Sequence, residues 1–257
     1  MIEAIFFDID GTLLSFKTNK IPESTIKALQ LLREKGIKTF ISTGRPRKEL
    51  HMFKDIKFDG FITSNGQYCF DVDGEVIHEK LISKDDISKL IVYANENNIA
   101  CSFTELDDIY YNQRNDLVDE LENLLELSKS PIDNVEKALE NGIYQISAFV
   151  NEEQEKEIMK IMPNSHSARW YHSFCDISPK GGSKRRGIEE ICKKYNINVE
   201  NTMAFGDGGN DIPMLEYVGT SVAMGNANPN VKEIADYVTS DIDDDGIYNA
   251  LKHFNII

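Results

Sequence analysis

The 257-residue sequence is short of positive charge: 28 Lys and Arg stand against 43 Asp and Glu, a formal net charge of −15. That balance works against nucleic acid or an anionic membrane surface as a partner, because both are polyanions. It also sets a condition, since an anionic substrate needs a local cationic site that overcomes the field of the whole chain. Long apolar runs are missing too. None approaches the ~18 residues of a membrane span, and the first basic residue is Lys17, so the start lacks the basic segment of a secretory signal. Cysteine is sparse. Cys69, Cys101, Cys175 and Cys192 form no C-x-x-C pair and suggest no disulfide framework; free thiols fit a reducing cytoplasm. The five histidines have no metal-ligand spacing. No G-x-S-x-G elbow occurs, which removes the commonest serine-hydrolase reading.

What is present begins with Ile5-Phe6-Phe7-Asp8-Ile9-Asp10-Gly11-Thr12. The apolar run before Asp8 reads as a buried strand, and it delivers two carboxylates where the strand stops. In an open parallel sheet that is where ligands bind. Asp-Gly alone is only a turn signal, and it recurs at Asp10, Asp59, Asp73, Asp207 and Asp245. The acids gain meaning only if a cation-and-phosphate kit stands at other strand ends.

Along the chain, Pro22 suits a first helical position, with Ile26, Leu29 and Leu32 at near-helical spacing and Gly36 as the stop. Residues 37–43 and 60–63 read as strands, and residues 68–78 as a hairpin around Asp73-Gly74. Strand–helix–strand succession predicts a parallel sheet. From Ile82 the character changes. Ser83 with Asp86 three residues on reads as a capping box for a helix through Asn97. Strands are expected at residues 100–104, 109–113, 143–151 and 168–177, and helices at 116–127, 134–140 and 152–161. Residues 82–180 hold 9 basic and 19 acidic side chains, against 19 and 24 in the remainder. This acidic stretch reads as an α/β domain inserted into the first. Strand–helix alternation then resumes at Ser183 and runs to a last helix over residues 246–254.

Three further segments end predicted strands or open helices. Thr43-Gly44-Arg45 alone reads as a turn before Pro46; beside a phosphate, its hydroxyl and glycine N–H converge on the oxygens. Lys184, Arg185 and Arg186 crowd a helix's first turn against the macrodipole, at about 0.3–1 kcal/mol each, which suggests an anion nearby. Gly206-Asp207-Gly208-Gly209-Asn210-Asp211 follows an apolar strand, and its glycines permit close backbone approach. Asp8, Asp10 and Asp207 together form a donor set that suits Mg2+ with a phosphate ligand. The run Asp241–Gly246 begins like an EF-hand loop, but Lys252 stands where the bidentate Glu is required. It reads instead as the capped start of the last helix. Trp170 and Tyr171 read as core residues or as the lining of a substrate pocket.

These segments, in this order, resemble the four motifs of the haloacid dehalogenase-like hydrolases, in their Cof-type sugar-phosphatase branch: Asp8–Thr12, Thr43–Arg45, Lys184 and Gly206–Asp211. Asp245-Gly246 is similar to that branch's ending. The resemblance implies a Rossmann-like parallel-sheet core over residues 1–81 and 181–257, with an inserted α/β cap over 82–180 that sets specificity. It implies Mg2+-dependent hydrolysis of a phosphomonoester, a small phosphorylated metabolite being the substrate that the acidic composition favours; charge and cysteine content set the expectation of the cytoplasm without nucleic-acid or membrane partners. Asp8 is then the nucleophile and Asp10 the acid and base, with Gly11 turning the chain. Asp8, the Asp10 carbonyl and Asp207 hold the metal. Thr43, Gly44, Lys184 and Asn210 bind the phosphoryl group, and Asp211 orients Lys184 or a metal-bound water. A phosphomutase or phosphotransferase shares the chemistry as far as the phosphoenzyme. A receiver-like regulator or a non-catalytic sugar-phosphate binder is the reading from another class.

Overall fold

A computed structural model describes residues 1–124 and 129–257. The chain divides into two compact units, one of Met1–Arg45, Glu49–Glu79 and Gly182–Ile257, the other of Pro46–Lys48 and Lys80–Gly181. Through Glu79 it runs β1 (Ala4–Phe7), α1 (Glu23–Glu34), β2 (Lys38–Ser42), β3 (Gly60–Thr63), β4 (Tyr68–Asp71) and β5 (Val76–Glu79). Next come α2 (Lys84–Glu96), β6 (Cys101–Thr104), β7 (Ile109–Tyr111), α3 (Asp116–Leu124), α4 (Lys137–Glu140), β8 (Gln145–Ala148), α5 (Glu152–Ile161), β9 (Ser165–Tyr171) and β10 (Phe174–Pro179). The return is α6 (Lys184–Tyr195), β11 (Thr202–Gly206), α7 (Ile212–Leu215), β12 (Thr220–Ala223), α8 (Pro229–Ile234), β13 (Tyr237–Val238) and α9 (Gly246–His253).

The first unit is a sheet in the order β13-β12-β11-β1-β2-β3-β4-β5. It is parallel from β13 to β3 and closes with the antiparallel β4–β5 hairpin. Helical connections on both faces require the middle strands to be apolar throughout, and every residue of β1 and β11 is buried. Phe6 stacks on Phe40 and Phe7 on Phe205, with ring centroids 5.1 and 5.2 Å apart. From β1 the chain moves towards β2, and from β11 towards β12, in opposite directions across the sheet. The crevice of such a sheet opens where the direction reverses, at the carboxyl ends of β1 and β11.

The second unit is an antiparallel sheet, β7-β6-β8-β10-β9. Leu90 of α2 and Ile158 of α5 share a core cluster with Phe103, Ile146 and Ile177 of the sheet. Among the described residues, no helix is long and apolar enough to cross a membrane.

Several local expectations are corrected. Pro22 flanks α1 rather than opening it, and the buried stripe is Thr25, Ala28, Leu29 and Leu32, with Ile26 exposed. The strand expected at 168–177 is two strands, β9 and β10, turning at His172-Ser173, where no Gly or Pro announces the reversal. Helical structure expected from Asn134 starts only at Lys137. Of the helix expected over 116–127, the end past Leu124 lies outside the described residues, as does the Trp170 side chain. The capping box at Ser83 is half made: its Oγ accepts from the Asp86 N–H at 3.2 Å. The buried Asp86 carboxylate accepts instead from Asn164 and Ser165. Before α9, Asp241 caps the 3-10 turn Ile242–Asp244 by accepting from the Asp243 N–H at 3.0 Å, while Asp245 has φ 62° and caps nothing.

Candidate active site

Asp8 is the first residue beyond β1. Parallel register sets Phe7 beside Phe205, and the Asp8 N–H extends the ladder by donating to the Phe205 carbonyl at 3.1 Å. The carboxylate, 6% exposed, therefore stands next to the segment that follows β11. Lys184 opens α6, whose N-cap Ser183 accepts from the Arg186 N–H. Its side chain is fully buried, with Nζ 2.5 Å from Asp8 Oδ1 and 2.5 Å from Asp211 Oδ1. Asp211 Oδ2 accepts from the Asp207 and Gly208 N–H groups, each at 2.9 Å. One buried ammonium thus ties the loops after β1 and β11 to the start of α6.

Asp207 completes the cluster. Its Oδ1 accepts from Thr12 Oγ1 at 2.8 Å. Gly11, at φ +82°, lies so close that any Cβ would collide with Asp207 Oδ2, so glycine is required there both for its conformation and for the space. Carboxylate oxygens of Asp8, Asp207 and Asp211 lie within 4.8 Å of one another. Burial, with Asp211 adding like charge, raises the Asp8 carboxyl well above the usual carboxylate range. Burial likewise pushes Asp207 up to about 7, against the Thr12 hydrogen bond. Burial works against the Lys184 charge too, yet Asp211 and Asp8 outweigh it and raise its pKa.

Three carboxylates against one ammonium leave a net negative charge in a buried place, which is costly without a further cation. Hard carboxylate oxygens with room for water and phosphate suit Mg2+. Both Asp211 oxygens are committed to Lys184 and to backbone N–H groups. Asp8 Oδ2 and Asp207 Oδ2 accept no hydrogen bond among the described residues. The site therefore fits a divalent cation, with Asp8 and Asp207 as the free side-chain donors.

Asp10 does not join this cluster. Its carboxylate is gripped at both oxygens by Arg45, Nε to Oδ2 at 2.8 Å and Nη2 to Oδ1 at 2.6 Å. That hydrogen bond raises the guanidinium pKa further. Arg45 was not among the residues expected in the site, although it completes the Thr43–Arg45 segment. Thr43 is buried, and its Oγ1 accepts from the Arg45 N–H at 3.1 Å. Gly44 and Asn210 both meet Asn65, the latter by donating Nδ2 to Asn65 Oδ1 at 3.1 Å. The crowded cations of α6 do not act together. Arg185 and Arg186 pair with Glu189 and Glu190 on their own helix, and only Lys184 enters the site.

A family model of haloacid dehalogenase-like hydrolases matches residues 5–251. This chain belongs to that family. The hydrolase is 36% identical to YkrA of Bacillus subtilis (strain 168), named as a phosphatase, over 256 residues and 98% of each chain. It superposes with a TM-score of 0.94 and 37% identity on BT1666 from Bacteroides thetaiotaomicron, a phosphatase of the haloalkanoate (HAD) superfamily, covering 100% of this chain and 96% of that one. Against the HAD subclass IIB sugar phosphatase BT4131 the TM-score is 0.86 and the identity 43%, over 99% and 100% of the two chains.

Proposed function

We propose that this hydrolase cleaves a small phosphomonoester, a sugar phosphate or similar metabolite, with Mg2+ and through a phosphorylated Asp8. The observation that carries the reading is the position of Asp8: buried at the end of the central strand, 2.5 Å from the Lys184 ammonium and within the Asp207–Asp211 cluster. A carboxylate attacks a phosphate dianion only where cations offset their repulsion. Mg2+, held by Asp8, Asp207 and the Asp10 carbonyl, supplies charge neutralisation when bound.

Asp8 Oδ attacks phosphorus and the ester P–O bond breaks, with the proton on Asp10 passing to the departing oxygen. Asp10, held as a carboxylate by Arg45, first leaves that grip and takes up the transferred proton from solvent. It then takes a proton from water as the water oxygen attacks the same phosphorus. The Asp8–phosphorus bond breaks, inorganic phosphate leaves, and Asp8 is restored. Thr43, Gly44 and Asn210 bind the phosphoryl oxygens, Lys184 balances their charge, and Asp211 orients Lys184.

We assign catalysis to residues 1–81 and 181–257 and the choice of leaving group to 82–180. The acidic excess of that middle segment disfavours polyanionic leaving groups. Cys69, Cys101, Cys175 and Cys192 are all free and buried, which suits work in the reducing cytoplasm. A phosphate-release screen over a panel of phosphorylated metabolites, with and without EDTA, tests the reading. The expected result is Mg2+-dependent release from phosphosugars or related compounds that Asp8→Asn abolishes. Release unaffected by EDTA, or retained in Asp8→Asn, contradicts it.

A further inference from the structure

At the carboxyl end of β3, Ser64, Asn65 and Gly66 have successive φ values of 48°, 54° and 93°. Glycine adopts such angles freely and asparagine tolerates them, but serine does so only when its surroundings force it. The surroundings here are site loops. The Ser64 N–H donates to the Arg45 carbonyl and the Asn65 N–H to the Thr43 carbonyl, each at 3.0 Å. A Cβ on Gly66 would strike the Ser183 carbonyl, immediately before Lys184. The left-handed turn is therefore clamped between the Thr43–Arg45 segment and the start of α6.

The turn presents the Asn65 side chain to the phosphate-binding residues of the proposed reaction. A Cβ on Gly44 would lie 3.2 Å from both Asn65 amide atoms, and Asn65 Oδ1 accepts from Asn210 Nδ2. With its oxygen so engaged, the amide has its nitrogen left to offer. Asn65 Nδ2 donates to no protein acceptor among the described residues. Turn preference alone explains why asparagine is tolerated at position 65. It does not explain the forced angle at Ser64, nor an amide set between Gly44 and Asn210.

We infer that Asn65 is a further phosphate-binding residue, donating Nδ2–H to an oxygen of the phosphoryl group held by Thr43 and Gly44. This rests on the phosphatase reading above. It makes the Ser64–Gly66 turn part of the binding machinery, with Asn210 fixing which end of the Asn65 amide faces the ligand.

The test is the inhibition constant of inorganic phosphate against Mg2+-dependent hydrolysis of p-nitrophenyl phosphate, with the melting temperature measured alongside. Asn65→Gly keeps the backbone conformation and removes the amide. It is expected to hold its melting temperature and to bind phosphate about tenfold or more weakly, the loss of one hydrogen bond to a charged ligand. Asn65→Asp keeps an acceptor for Asn210 but faces the phosphate with a carboxylate, so its affinity is expected to fall below that of the glycine variant. Unchanged phosphate affinity in Asn65→Gly, or wild-type affinity in Asn65→Asp, overturns the assignment. A wild-type protein that neither turns over the ester nor binds phosphate removes the phosphatase reading and this inference with it, and that is seen before any variant is compared.

Discussion

The Arg45 guanidinium holds both oxygens of the Asp10 carboxylate, at 2.8 and 2.6 Å, across 35 residues of sequence. Two-point binding fixes the plane of the carboxylate as well as its position. In the proposed reaction Asp10 leaves this grip, takes up a proton for the departing oxygen, and returns to Arg45 once it has released the proton it gains from water, so Arg45 acts as its positioning residue. Arg45→Lys keeps the cation but loses the fork. The expected outcome is a fall in kcat of about tenfold, the effect of one lost charge-assisted hydrogen bond, with inorganic phosphate inhibiting as before. A steady-state comparison of kcat with the phosphate inhibition constant checks this. A loss confined to phosphate affinity places Arg45 on the ligand instead.

Lys184 is buried between Asp8 and Asp211. Removing one member of a buried ion cluster leaves the others uncompensated and typically costs about 3–5 kcal/mol. Lys184→Met is therefore expected to lower the stability of the metal-free protein by an amount of that order, read by urea denaturation. Part of the loss is expected to return with Mg2+, because the excess negative charge is what the cation neutralises. Stability equal to wild type in metal-free buffer contradicts the cluster as described.

Asp207 has its carboxyl raised to about 7, burial being the largest cause. A carboxyl raised on folding binds its proton more tightly in the folded state than in the unfolded chain, where the value is about 4. Its ionisation therefore destabilises the fold at higher pH, and that penalty relaxes as pH falls through about 7. The metal-free protein is expected to melt at higher temperature near pH 6 than near pH 8. Net charge contributes in the same direction, so the check is Asp207→Asn, in which the dependence flattens. Mg2+ affinity runs oppositely, weakening below about pH 7 as protons compete for the same oxygen.

Much of this site was legible because its residues stand at strand ends. Asp8 and Asp207 each follow an apolar strand directly, and parallel pairing of β1 with β11 makes sequence-distant strand ends neighbours. Lys184, Arg185 and Arg186 together stand out as charges against a helix dipole, and only the family resemblance singles out Lys184. Its neighbours misled for a local reason: the i,i+4 pairs Arg185–Glu189 and Arg186–Glu190 were present in the sequence and explain those arginines without an anion. The Arg45–Asp10 grip leaves no periodic trace, since it joins two loops through side chains alone. At Ser64–Gly66 the Asn65-Gly66 pair is itself a turn signal, but the positive φ of Ser64 was hidden, because it comes from tertiary contacts rather than from serine's own preference. In the second unit, the reversal between β9 and β10 uses His172 and Ser173, with no Gly or Pro to interrupt the strand-like run.

In the proposed reaction Asp8 carries the phosphoryl group, and the Asp10→Ala variant can make that visible. That variant is expected to form the phosphoenzyme yet hydrolyse it slowly, so that acid quenching during turnover with Mg2+ traps the intermediate for peptide mass spectrometry. One phosphoryl group is expected, on Asp8, disappearing with EDTA and in the Asp8→Asn, Asp10→Ala double variant. Steady release of phosphate with no phosphoaspartate at any time point, or a phosphoryl group on another residue, contradicts it.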